Sequence, residues 1–249
     1  TAYVYVNGQE AGRHRGGYTS FSLDITELAV KGENVLCVYA EDDVRSGLQT
    51  SGKQSTDFSS HGCFYTRTTG IWQTVWLEFV PNTYIQSLRL LPDAFNGTVQ
   101  VEAELENAHD ARLVLKVQLN GQMVAEKAVR CASHTACCTL EIPDPQLWSP
   151  DSPVLYQLEL SLQGEQGTDE VRSYFGLRTV EWHDRKFYLN GKLLFMRLIL
   201  DQGFYPDGIY TAPTDEALIH DIELAKSLGF NGARMHEKVF EERWLYHAD

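Results

Sequence analysis

Positive charge, long apolar runs and metal-ligand patterns are all scarce in this sequence. Lysine and arginine number 21 against 34 acidic residues, a formal charge of −13, and they form neither a cluster nor a stripe. No nucleic acid is expected as a partner, because phosphate-backbone binding draws on concentrated positive charge. No apolar run approaches the roughly 20 residues that a helix needs to cross a bilayer, so no membrane partner is expected either. The five cysteines, Cys37, Cys63, Cys131, Cys137 and Cys138, are an odd set without metal-ligand spacing. Neighbouring Cys137 and Cys138 point to opposite faces of a strand, and the set reads as mostly reduced packing residues. His14 and His61 have no His, Cys or carboxylate at ligand spacing, so neither a metal nor a cofactor is expected. A secretory signal is also lacking: Thr1-Ala-Tyr-Val-Tyr-Val reads as a strand in mid-domain, which names no compartment.

What is present is a globular composition, 43% apolar and 22% charged. A length of 249 residues suggests about two domains. The pattern divides the chain into three modules, of which the first and third read as incomplete. Residues 1–80 are all β, with alternating segments at 3–6, 35–39 and 74–77 between Gly-, Asn- and Asp-rich turns. Asn7-Gly8 predicts a tight hairpin. Residues 81–177 carry seven regular segments, at 85–91, 98–105, 111–119, 122–129, 139–142, 155–162 and 169–175, which fit an immunoglobulin-like sandwich. Asn120-Gly121 predicts a second tight hairpin. Trp148, in a segment whose prolines confine it to a loop or edge, reads as a packed corner in preference to a stacking surface for a ligand. Asn96-Gly97-Thr98 fits a glycosylation acceptor, a tripeptide that also arises by chance.

Residues 178–249 change character. A hairpin over 187–194 turns at Asn190-Gly191, and an apolar run at 194–200 reads as a strand. A helix follows, capped by Thr214, loaded with Asp215 and Glu216 in its first turn and stopped at Gly229. Ala217, Leu218, Ile222, Leu224, Ala225 and Leu228 share one face, which should pack on a sheet. A second short strand spans about 233–236. A parallel β–α–β–α run opens a barrel or a doubly wound sheet, and neither closes with two strands.

These residues resemble a known family. Val6-Asn7-Gly8-Gln9-Glu10, Gly16-Gly17-Tyr18-Thr19-Ser20-Phe21 and Asp24-Ile25-Thr26 are similar to the sugar-binding jelly roll of glycoside hydrolase family 2, the β-galactosidase, β-glucuronidase and β-mannosidase group. Thr69-Gly70-Ile71-Trp72-Gln73-Thr74-Val75-Trp76-Leu77-Glu78 resembles the closing strand of that module. Leu147-Trp148-Ser149-Pro150 with Pro153-Val154-Leu155-Tyr156 resembles the sandwich signature, and Ser173-Tyr174-Phe175-Gly176-Leu177-Arg178 the exit into the barrel.

The resemblance implies a mostly β fold: a partial jelly roll over 1–80 lacking its N-terminal part, an immunoglobulin-like β-sandwich over 81–177, and the first βα units of a (β/α)8 barrel over 178–249. It implies a retaining, exo-acting β-glycosidase, β-galactosidase-like, that hydrolyses terminal bonds with two carboxylates. Both normally sit on later barrel strands, the acid/base in an Asn-Glu pair that this chain lacks beyond Arg178. No catalytic residue is therefore assigned, and the chain alone is expected to be inactive. A non-catalytic carbohydrate-binding module and a structural assembly domain are the alternatives. The expected partners are a carbohydrate substrate, the remainder of the barrel and a second copy of the chain in a homo-oligomer.

Part of the sugar pocket is expected here, since barrel sites form at the C-terminal ends of strands. Asp201 and Gln202 suit sugar hydroxyls, and Phe204 or Tyr205 suits a pyranose face. The competing reading has Asp201 capping local amides and Phe204 packing under its loop. Arg234 and His236 alternate along the second strand, and a buried Arg234 would pair with a catalytic carboxylate or with Asp201 or Glu237; spacing leaves both open. Arg197 has the same ambiguity, and the family usually follows that arginine with Gly where this chain has Leu198. Asp42-Asp43 and Gly52-Lys53-Gln54 resemble a loop that runs toward the barrel mouth, with solvated turns the preferred reading.

Overall fold

The structure, a computed structural model, describes residues 1–249. The chain forms two compact units, one made of Thr1–Trp76 with Leu198–Ala248, the other of Leu77–Arg197 with Asp249.

The first unit opens with β1 (Ala2–Val6), β2 (Gln9–His14) and β3 (Leu36–Ala40), an antiparallel sheet in the order β2-β1-β3. Asn7 and Gly8 at φ 52° and 82° make the expected hairpin turn, pairing Val6 with Gln9. Alternation decides the faces, with Ala2, Val4 and Val6 buried while Tyr3 and Tyr5 are half-buried. Residues 74–77 depart from the strand reading: they pair with no sheet, and Val75, Trp76 and Leu77 are each more than 60% exposed. An apolar alternating sequence becomes a strand only where a neighbouring backbone completes a ladder of hydrogen bonds with it.

The second unit carries the sandwich. Its strands are β4 (Tyr84–Asp93), β5 (Thr98–Glu106), β6 (Arg112–Leu119), β7 (Gln122–Arg130), β8 (Thr135–Glu141), β9 (Tyr156–Gly164) and β10 (Gly167–Phe175). They form one sheet in the order β4-β5-β8 and another in the order β10-β9-β6-β7. Leu105, Leu113, Leu115, Leu158, Leu160 and Leu162 fill the space between the sheets, each at 1% exposure or less. Each such side chain stabilises the fold by about 1.5–3 kcal/mol. β8 starts at Thr135, earlier than the sequence reading, because Glu104 of β5 still finds a partner there. Trp148 is a packed corner: Arg178 lies 4.3 Å over its ring, and a Cβ on Gly176 would meet it at 3.1 Å. β11 (Val180–His183), β12 (Lys186–Leu189) and β13 (Lys192–Leu193) add a small antiparallel sheet whose second turn is Asn190-Gly191.

The chain then returns to the first unit through β14 (Leu198–Asp201), α1 (Asp215–Ser227), β15 (Gly232–Met235) and α2 (Glu242–Ala248). β14 and β15 pair in parallel, Leu198 with Gly232 through Asp201 with Met235. The strand expected over 194–200 is thus confined to its end and extended by one residue. Thr214 caps α1 by accepting from the Ala217 N–H. Leu218 is buried with Ala212, Phe240 and Trp244, and Ala217 and Ile222 pack alongside. The outer part of the apolar face, Leu224 and Leu228, stays 48% and 69% exposed. A two-stranded sheet is narrower than the stripe and covers only half of it.

The cysteine reading needs correction. Cys131 and Cys138 are buried in the sandwich core, but Cys37, Cys63 and Cys137 are exposed. Cys37 lies on an edge strand and Cys63 in a turn-rich loop, where no second layer covers them.

Candidate functional site

The expected site residues gather where β14 ends. Asp201 is the last residue of that strand; its carbonyl accepts the His236 N–H at 2.8 Å, and its carboxylate accepts the Gly203 N–H at 2.8 Å. The local cap expected of Asp201 is therefore present, with the second carboxylate oxygen left as an acceptor. Burial raises the Asp201 carboxyl above the ordinary carboxylate range and nearby Asp221 adds to this, against the opposing pull of the Gly203 N–H and Lys238.

Gln202 is held from the other end of the chain. The Tyr65 hydroxyl donates to its Oε1 at 2.7 Å, and the Tyr65 ring stacks on Phe204 with centroids 3.9 Å apart. Phe204 is thus a packed ring under its loop, as the competing reading had it. Tyr205 faces the Asp221 carboxylate of α1, and burial together with that carboxylate pushes its phenol far up, so the hydroxyl stays protonated. His236 is 19% exposed at its side chain, with Nε2 3.4 Å from the Glu237 carboxylate.

Arg234 does not join this group. It is exposed, and it forms no ion pair with Asp201 or Glu237. A buried arginine was expected because a closed barrel would cover that face; the sheet here has two strands and leaves it open.

Residues 52–54 depart from the solvated-turn reading, whereas Asp42 and Asp43 conform to it. Gly52, Lys53 and Gln54 are half-buried. Gly52 sits at φ 59° with its Cα against the Glu237 carbonyl, so that an added Cβ would lie 2.3 Å from that oxygen. Glu237 itself has φ 55°, a left-handed conformation uncommon outside glycine. Lys53 Nζ lies 4.0 Å from the Glu237 carboxylate.

The first module closes around the same loop through aromatic residues. Trp72 donates its indole N–H to the Gly17 carbonyl at 2.7 Å, which joins two of the recognisable motifs directly. The hydroxyls of Tyr18 and Tyr210 lie 2.7 Å apart, and Trp72 meets Tyr210 edge-on at 4.7 Å. Beneath them lies Lys238, buried, with its ammonium donating to the carbonyls of Gly203 and Tyr210. Burial pushes this amine down to about 8. Neither Lys238 nor Tyr65 stands out in the sequence: a lysine between Glu237 and Val239 has the look of a solvated loop, and its aromatic surroundings come from positions as distant as Trp72.

The chain is similar to known glycosyl hydrolases. Residues 83–178 match the model of glycosyl hydrolases family 2. A protein of Formosa agariphila named as a beta-glucuronidase is 31% identical over 242 residues, covering 93% of this chain and 28% of that protein. A beta-galactosidase of Thermoanaerobacter pseudethanolicus is 28% identical over 247 residues, covering 94% of this chain and 32% of the relative. The crystal structure of Parabacteroides merdae beta-glucuronidase superposes with a TM-score of 0.81 at 22% identity, over 99% of this chain and 32% of that one, a likeness of fold. The chain thus spans about a third or less of the length of these relatives.

Proposed function

This chain belongs to glycosyl hydrolases family 2, and we propose that it is the portion of a retaining, exo-acting β-glycosidase that supplies one wall of the sugar pocket. In this reading the jelly-roll part, the sandwich and the start of a (β/α)8 barrel occupy residues 1–80, 81–177 and 178–249. The catalytic carboxylates lie on barrel strands outside this chain, so the chain alone turns over no glycoside.

The observation that carries the proposal is the convergence of Asp201, Gln202 and His236 at the C-terminal end of a parallel strand pair, the end at which barrel enzymes bind substrate. Asp201 accepts from a sugar hydroxyl through its second oxygen, and Gln202, with its carbonyl oxygen taken by Tyr65, donates through its amide nitrogen. His236 lines the same edge. Tyr205 serves from behind, beside the Asp221 carboxylate. Arg234 reaches the sugar or a catalytic carboxylate once further strands cover its face. The sugar of this reading is neutral and galactose-like, after the beta-galactosidase that the chain resembles.

The test is hydrolysis of chromogenic β-galactoside, β-glucuronide and β-mannoside by this chain and by the complete polypeptide. Turnover by the complete polypeptide alone, with β-galactoside preferred, is the expected result. Turnover by this chain would overturn the placement of the carboxylates. Saturable sugar binding without turnover by either would favour a carbohydrate-binding module instead.

A further inference from the structure

Lys238 is 9% exposed, yet no carboxylate pairs with its ammonium; Glu241, the acidic group with the largest influence on it, bonds Arg243 at 2.7 Å instead. The ammonium is held by carbonyls and rings. It donates to Gly203 O at 2.5 Å and Tyr210 O at 2.6 Å, the two ends of the loop that follows Asp201 and Gln202. Tyr210, Trp72, Phe240 and Phe204 surround it with ring centroids at 4.3, 5.2, 5.3 and 5.7 Å. Those rings come from three separate stretches of chain.

A buried cation without a paired anion is costly, and an apolar side chain of similar length would fill the same space without that penalty. Stability is therefore a poor account of this residue. Geometry is a better one, because an ammonium can draw two carbonyls onto one point and hold the loop between them. Gly203 fits the same construction: it has φ 62°, and an added Cβ would lie 3.0 Å from the lysine Nζ and 2.9 Å from the Phe240 ring. The backbone is shaped around the amine.

We propose that Lys238 is a positioning residue for sugar binding, which clamps the carbonyls of Gly203 and Tyr210 and so holds Asp201, Gln202 and Tyr205 in the shape that receives the sugar. The inference rests on the β-glycosidase reading. Lys238 does not touch substrate; it acts through the loop.

The experiment compares wild type, Lys238→Met, Lys238→Arg and Gly203→Ala in the complete polypeptide, by hydrogen exchange and by kinetics on the preferred chromogenic β-glycoside. Exchange at residues 203–210 should accelerate at least tenfold in the Met and Ala variants, with β5 and β6 unchanged as internal reference. KM should rise about tenfold in Lys238→Met with kcat changed less than threefold, and Lys238→Arg, which keeps the donors, should recover part of the loss. Exchange within twofold of wild type in both the Met and the Ala variant would overturn the clamp. Accelerated exchange with unchanged KM would overturn its role in sugar binding. Wild type inactive on every β-glycoside would instead overturn the glycosidase reading, and with it the sugar-positioning role. If Lys238→Met does not fold, Gly203→Ala carries both readouts.

Discussion

The hydroxyl of Tyr65 donates to the side-chain oxygen of Gln202 at 2.7 Å, joining residues 137 positions apart in the chain. The bond ties the β-rich opening of the chain to the loop after β14, and it commits one end of the Gln202 amide. The free end is then a donor.

Replacing Tyr65 by Phe removes this bond and keeps the ring on Phe204. A stability loss of about 0.5–1.5 kcal/mol is expected, the usual net value of one hydrogen bond. Tyr65→Ala, which also gives up the stacking, should cost distinctly more. Urea titration followed by tryptophan fluorescence measures both; equal losses would mean that the ring stacking contributes nothing, and no loss in Tyr65→Phe that the hydroxyl contributes nothing.

Gly52→Ala tests the contact between the 52–54 segment and Glu237. The new methyl would meet the Glu237 carbonyl at 2.3 Å while the backbone stays at φ 59°, so steric overlap and left-handed strain act together. A loss of about 1–3 kcal/mol is expected, with faster proteolytic nicking near residue 52. Gly8→Ala is the comparison, because its Cβ would meet nothing within 4 Å and strain alone remains. An equal loss in the two variants would remove the contact from the account.

The buried amine of Lys238 makes stability depend on pH. Burial lowers it from 10.5 to about 8 in the folded state. Between those values the unfolded chain holds a proton that the folded chain has released, so raising pH favours the fold over that window. Below about pH 8 both states are charged and the full penalty applies, on the order of 3 kcal/mol. Wild type should therefore gain stability from pH 8 to 10 relative to Lys238→Met, whose profile lacks this rise. Parallel profiles would show that the amine is solvated.

Thiol labelling separates the cysteines. Cys37, Cys63 and Cys137 are exposed and should react with a water-soluble maleimide within minutes, whereas burial shields Cys131 and Cys138 and raises their thiols above the ordinary range. Mass spectrometry should find three adducts on the native chain and five after denaturation. Reaction of Cys138 in the native state would mean that the β5–β8 edge of the sandwich opens.

The sandwich was legible because each of its strands carries its own signal. β5 and β9 alternate buried residues with half-buried or exposed ones along nearly their whole length, and Asn120-Gly121 supplies the left-handed pair that a two-residue turn demands. The helix over 215–227 was equally legible, since Thr214, Asp215 and Gly229 are local stop and start chemistry. Residues 74–77 alternate just as well and form no strand. Pairing is a property of two segments, and alternation describes only one.

At the candidate site the difference is sharper. Asp201 and Gln202 could be singled out from their place after an apolar strand, because strand ends are where such sheets expose polar groups. Tyr65, Gly52 and Lys238 could not, and neither could the exposure of Arg234. Local chemistry along the chain, meaning turns, caps and alternation, determined which elements form, because those energies are decided within a few residues. Only the tertiary structure decided that a lysine in a charged stretch lies buried under four aromatic rings, because burial depends on which distant segments come to surround a side chain.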